Sequence, residues 1–337
     1  MKALIHRGLV GGLFAVGLMT ACSRMMRQYS FKDKVVVISG GSRGLGLLMA
    51  RRLAKEGAKL FLIARDQQEL EKAQSELEKA GYTAAIRVCD VTSQSEVDDT
   101  AAFAMEHFGS VDVLINNAGV IQVGPMDSMT TTDYENALKT HFWGPLYMTM
   151  AFSPGMRQRK SGRIVNISSI GGKVAVPHLL PYAVSKFALL GYSEGLRMEL
   201  IRDKVYVTSV CPGLMRTGSH INAQFKSQNE KEFAWFSISD SIPFLSVDGD
   251  SAAKQILEAC RRGDPELIIT LPAQILSKLN GIFPGAVTDI MGQVSKVLPA
   301  YGGIGKEQVS GKESTSALSP SVLTTLSDAA SVKNNEV

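Results

Sequence analysis

Seven short runs of aliphatic and β-branched residues, KVVVIS, KLFLIA, TAAIRV, VDVLIN, GRIVNIS, KVYVTSV and ELIIT, recur between residues 34 and 270. They alternate with longer amphipathic stretches such as LLMARRLAKEGA and VDDTAAFAMEHFG. A strand that is apolar throughout must be covered on both faces, and helices placed between such strands supply the cover. The pattern predicts an α/β fold: a doubly wound, mostly parallel seven-stranded sheet in a single domain over residues 31–300.

Both ends differ from this middle. Lys2 and Arg7 precede an uncharged run of fifteen residues, GLVGGLFAVGLMTAC, which ends at Cys22. That is shorter than the ~20 residues a spanning helix needs, and it suits a hydrophobic anchor or a signal segment. Arg24, Arg27, Lys32 and Lys34 follow it, a charge bias that favours an anchor over residues 1–30 with the folded domain facing the cytoplasm. The alternative is an exported lipoprotein anchored at Cys22. Residues 301–337, rich in Ser, Thr, Lys and Gly with few large apolar side chains, are expected to be a disordered tail.

The net charge of +4 comes from the first thirty residues, which hold four cations and no acid, so the remainder is neutral. No basic stripe of the kind nucleic acid requires is visible. The four cysteines, Cys22, Cys89, Cys211 and Cys260, are far apart and lack zinc-ligand spacing, so neither a metal nor a disulfide framework is indicated. Cys89 and Cys211 end apolar runs and read as buried thiols.

Between the first strand and the helix beginning near Leu45 lies SGGSRGLG, with Gly40, Gly44 and Gly46. Glycines at such a turn allow unusual backbone angles and let a pyrophosphate approach amides at a helix N-terminus. The next strand ends FLIARD, with Ala64 where a NAD site would place an acid and Arg65 beside it. Arg43 and Arg65 are suited to clasp a 2′-phosphate, which points to NADP (NADPH) rather than NAD.

In PYAVSKFALL, Tyr182 and Lys186 stand four apart, on one face of a helix. An ammonium beside a phenol lowers the phenol's pKa towards a useful range. Ser169 closes the strand GRIVNIS thirteen residues upstream, at the strand end where ligands bind in such sheets.

With these residues the chain resembles the short-chain dehydrogenase/reductase family, NADP-preferring and of the Ser-Tyr-Lys type, over about residues 33 to 275. The resemblance implies a Rossmann fold. It places Ser42, Arg43 and Leu45 with the loop glycines around the cofactor, Asp90 and Val91 of CDVT at its adenine, and Asn117, Ala118 and Gly119 of NNAG beside the cofactor. Pro212, Gly213 and Thr217 of CPGLMRT lie near the carboxamide. It makes Tyr182 the general acid in reduction, Lys186 the residue that lowers its pKa and holds the ribose, and Ser169 the group that orients the substrate oxygen. A homodimer or homotetramer is implied as well. His141 stands where the family has an Asn that supports a proton relay. It either keeps the relay and adds a titration near neutral pH, or packs as an ordinary helix histidine.

The expected activity is NAD(P)H-dependent interconversion of a carbonyl and a secondary alcohol; a nucleotide-binding scaffold without the chemistry is the alternative. Phe225, Phe233, Trp235, Phe236, Ile242, Phe244 and Leu245 after Thr217 either line a pocket for a lipophilic small molecule or pack a lid. The apolar segment LPAQILSKLNGIFPGAVTDIMGQVSKVLP lies either against a membrane or in a subunit interface.

Overall fold

The computed structural model describes residues 29–337. All seven expected strands form: β1 (Val35–Ser39), β2 (Lys59–Ala64), β3 (Ala84–Val88), β4 (Val113–Asn116), β5 (Gly162–Ile167), β6 (Val205–Pro212) and β7 (Glu266–Ile269). They make one parallel sheet in the order β3-β2-β1-β4-β5-β6-β7. Alternate residues of each strand feed two separate cores. Val36, Ile38, Leu60 and Leu62 pack on one side with Leu47, Leu53, Ile256 and Cys260. Val35, Val37, Phe61 and Ile63 pack on the other with Val97, Ala101, Met148 and Phe152. This double burial is why the strands read as continuous apolar runs.

Eight helices follow in chain order, α1 (Gly44–Lys55), α2 (Gln67–Lys79), α3 (Gln94–Phe108), α4 (Thr131–Leu138), α5 (Gly144–Gln158), α6 (Leu180–Leu200), α7 (Asn229–Ser241) and α8 (Gly249–Arg262); α7 lies away from the main sheet in a small core of its own. Asp66 caps α2, Ser93 caps α3 and Asp248 caps α8, each by accepting a backbone N–H in the first turn. By contrast, α1 has no side-chain cap and no acid in its first turn. The chain order reverses between β1 and β4, so a crevice opens at their C-terminal ends beside that uncapped helix.

The segment 301–337 corrects the expectation of a disordered tail. Val309–Ser310 pairs antiparallel with the short strand Gln224–Phe225, which itself runs parallel to Gln122–Val123. After α9 (Leu271–Ile282) and α10 (Pro284–Ser295), a last helix, α11 (Thr325–Lys333), packs against α7. Small hydroxyls hold this interface: Ser319 bonds Ser237 at 2.7 Å and Ser327 bonds Ser241 at 2.8 Å. Paired serines bury without large apolar groups, which a composition argument does not see.

Residues 1–28, and with them nearly all of the expected anchor, lie outside the described residues. Among the described residues no helix is long and apolar enough to cross a membrane. Cys89, Cys211 and Cys260 are buried free thiols.

Candidate active site

The glycine loop is held open by close backbone approach. Gly40 has φ +62°, and a Cβ there would stand 3.0 Å from the Cα of Ala118. A Cβ at Gly46 would strike the carbonyl oxygen of Gly40. Ser39 then ties this loop to NNAG, its Oγ accepting from Asn117 N at 3.0 Å and Ala118 N at 3.1 Å. The Asn117 side chain donates to Gly40 O at 3.0 Å.

A cavity of about 1050 Å³ follows the C-terminal edge of the sheet from this loop to Tyr182. It is lined by Gly40, Ser42, Arg43, Gly44, Leu45, Arg65, Asp90, Val91, Asn117, Ala118, Gly119, His141, Ser169, Tyr182, Lys186, Pro212, Gly213 and Thr217. Every expected site residue is therefore brought to one cleft except Gly46, which backs the loop from behind. Arg65 is exposed at the cleft, whereas Arg43 pairs with Glu69 at 2.6 Å and with Glu336 at 3.3 Å.

At the far end, β5 delivers Ser169 and α6 delivers Tyr182 and Lys186. The Ser169 hydroxyl faces the Tyr182 phenol and favours its charged form, and it accepts from Gly171 N at 3.0 Å. Lys186 is buried, donates from Nζ to Ile167 O at 2.9 Å, and lies 5.5 Å from the Tyr182 ring centre. The electrostatics depart from the expected acidified phenol. Burial pushes Tyr182 up to about 12 against the opposing effect of Ser169, and brings Lys186 down to about 7. An ammonium that burial itself makes acidic, and that is bonded to a carbonyl, does not pull the phenol down. At neutral pH the phenol carries its proton.

His141 sits in a π-helical turn, Lys139–Trp143, between α4 and α5, and packs edge-on to the Tyr182 ring at 5.4 Å. Its Nε2 accepts from Val120 N at 3.1 Å. Ser185 Oγ donates to Tyr182 O at 2.7 Å and lies 2.7 Å from His141 Nδ1, so Nδ1 must be the donor in that contact. The ring is thus neutral, and burial reinforced by Lys186 holds its pKa well below the usual value. This corrects the expectation of a titration near neutral pH. Protonation would cost the bond to Val120.

Sequence reading missed Ser185, and with it the way His141 reaches the helix of Tyr182. It also missed Asp240 on α7, a buried carboxyl that burial raises to about 8 and that helps hold the proton on Tyr182. Relative to an unfolded value of 3.8, a raised carboxyl favours the fold below about pH 4, and that contribution is lost as pH rises to about 8. Asp240→Asn is therefore expected to raise the melting temperature by an amount that grows between pH 5 and pH 8, read by thermal denaturation across that range. A gain independent of pH would contradict it.

Phe225, Phe233 and Phe236 pack with Val123 and Ala223 into a small core of their own, with Trp235 against it. Ile242 and Phe244 are exposed. None of the seven aromatic and aliphatic residues after Thr217 lines the cleft.

A parallel sheet in this order, with a glycine loop at its switch point and Ser, Tyr and Lys converging at its edge, defines a nucleotide-dependent oxidoreductase architecture. The chain belongs to the short chain dehydrogenase family, whose sequence profile matches residues 34–228. It is 39% identical over 187 residues to a putative ketoacyl reductase of Streptomyces coelicolor, covering 55% of this chain and 72% of the relative. It is 33% identical over 291 residues to dehydrogenase/reductase SDR family member 7B of Danio rerio, covering 84% and 92%. Among solved structures it is similar to an actinorhodin polyketide ketoreductase variant with NADPH, with TM-score 0.64 and 30% identity over 71% of this chain and 96% of that one.

Proposed function

We propose that this chain is an NADPH-dependent reductase that converts a carbonyl on a lipophilic small molecule to a secondary alcohol, and the reverse. The observation that carries the reading is the meeting of Ser169, Tyr182 and Lys186 in the cleft that also holds Gly40, Asn117 and Arg65. The cleft fits a dinucleotide: it is long, the backbone at Gly40 leaves no space for a side chain, and the N-terminus of α1 has no side-chain cap, the arrangement that suits a phosphate. Arg43 and Arg65 favour the 2′-phosphate of NADPH.

When bound, the reduced nicotinamide supplies a hydride. The chain's own residues do the rest. Ser169 donates to the substrate oxygen and orients it. Tyr182, protonated at neutral pH, delivers its proton to that oxygen as charge develops there. Lys186 is placed to hold the ribose. His141, through Ser185, fixes the backbone of Tyr182 and acts as a positioning residue.

The names of the relatives, ketoacyl and polyketide reductases, support an acyl or polyketide-like ketone. Membrane association is supported by the charge pattern of residues 1–30 and by α9 and α10. These two helices leave Leu271, Ile275, Ile282, Phe283 and Ile290 exposed, with Lys278 and Asp289 their only charged residues. Trp143, Met150, Val184 and Phe187, exposed along α5 and α6 and the turn before them, support a homo-oligomer.

The test is a panel of ketones and alcohols of graded chain length, with loss of nicotinamide absorbance followed for both cofactors. The expected result is higher kcat/KM for medium or long acyl ketones and for NADPH. Equal efficiency with NADH, or activity confined to small polar ketones, would contradict the corresponding part of the reading.

A further inference from the structure

The phosphate end of the cleft is taken by residues 334–336 of the chain itself. α11 ends at Lys333 beside the glycine loop, and the next three residues turn inward. Asn334 O accepts the first amide of α1, Gly44 N, at 2.8 Å, while its side chain donates to Thr217 O at 3.0 Å. Asn335 Nδ2 donates to Ser42 O at 2.9 Å. The Glu336 carboxylate pairs with Arg43 at 3.3 Å, accepts from Asn222 Nδ2 at 2.7 Å, and sits so close over Gly44 that a Cβ there would collide with it. Asn334, Asn335 and Glu336 are 3%, 7% and 5% exposed. A tail end buried to this degree and bonded at every residue is a docked segment.

Its partners are the groups assigned above to the cofactor: Ser42, Arg43, Gly44 and Thr217. A carboxylate against an arginine at an uncapped helix N-terminus has the chemistry of a phosphate in the same place. The two cannot share the position, because Gly44 offers one N–H and Glu336 fills the space above it.

We propose that residues 334–337 are a built-in competitor for the phosphate end of NADPH, so that cofactor binds only when they are released. The inference rests on the NADPH reading of the cleft. A site available only part of the time binds more weakly by that fraction, so a tail docked nine-tenths of the time weakens apparent affinity roughly tenfold.

The experiment is a fluorescence titration with NADPH of the full chain, of the chain lacking residues 334–337, and of Glu336→Gln. Hydrogen exchange of the C-terminal peptide is followed with and without NADPH. Expected are a Kd lower by about tenfold for the deletion, a smaller drop for Glu336→Gln, and faster exchange of the wild-type C-terminus once NADPH binds. In turnover the KM for NADPH falls and kcat holds. If the full chain binds NADPH but the deletion binds it equally or more weakly, or if NADPH slows exchange of the C-terminus, the segment is not a competitor and the inference is overturned. If neither chain binds NADPH, the functional reading itself fails, and this inference with it.

Discussion

Tyr182→Phe is expected to lower kcat for carbonyl reduction by about 10²- to 10⁴-fold while leaving NADPH affinity within about twofold, since general acid catalysis by a positioned side chain contributes on that scale. The substitution removes one oxygen and keeps the ring, which packs against His141 at 5.4 Å. The interaction of the phenol with Ser169 is lost, but Ser169 still accepts from Gly171 N and holds its place. A comparison of single-turnover rates with equilibrium NADPH titrations separates the two effects. A matching loss of cofactor affinity would mean that the hydroxyl acts by holding the cofactor, not by giving up its proton. A scaffold without chemistry would show no activity for the substitution to abolish.

Lys226→Met is expected to destabilise the protein by about 3–5 kcal/mol, the usual cost of leaving one buried charge without its partner. Lys226 follows the lid strand Gln224–Phe225 and bonds Asp133 on α4 at 2.7 Å, with side chains 4% and 5% exposed. Burial alone would raise the Asp133 carboxyl, but the bonds from Lys226 and from Thr130, the latter at 2.6 and 2.9 Å, outweigh it and hold the carboxyl below its usual value. Its contribution is therefore present above about pH 4 and is lost as pH falls below that. Urea unfolding of Lys226→Met beside Lys226→Met/Asp133→Asn, which removes the charge and keeps an acceptor for Thr130, checks the cause. The double variant should recover most of the loss, whereas equal losses would point to packing of the lysine stem.

The sheet was legible because its strands are buried on both faces, which writes the fold directly into apolar runs. The catalytic trio was legible because helical spacing places Tyr182 and Lys186 on one face and a strand end presents Ser169. The charge state of that trio was not. Proximity along a helix says nothing of where Nζ finds a partner, and Lys186 spends its proton on Ile167 O in a site where desolvation dominates. His141 was visible as a departure, but its tautomer depends on Val120 and Ser185, one of them forty-four residues away.

The C-terminus escaped entirely. Asn335 meets Ser42 across 293 residues of sequence, and its neighbours bury through paired serines that composition scores as disorder. The aromatics after Thr217 were ambiguous for a simpler reason: a residue that lines a pocket and one that packs a lid have the same side chain.

The most direct test of the account is single-turnover reduction of an acyl ketone by the full chain, with the reduced cofactor deuterated at its transferable position and the product analysed by mass spectrometry and NMR. Expected is one deuterium on the carbinol carbon from NADPH, with solvent hydrogen on the oxygen alone. Product with solvent hydrogen on that carbon, or no product from any carbonyl at saturating NADPH, would contradict it.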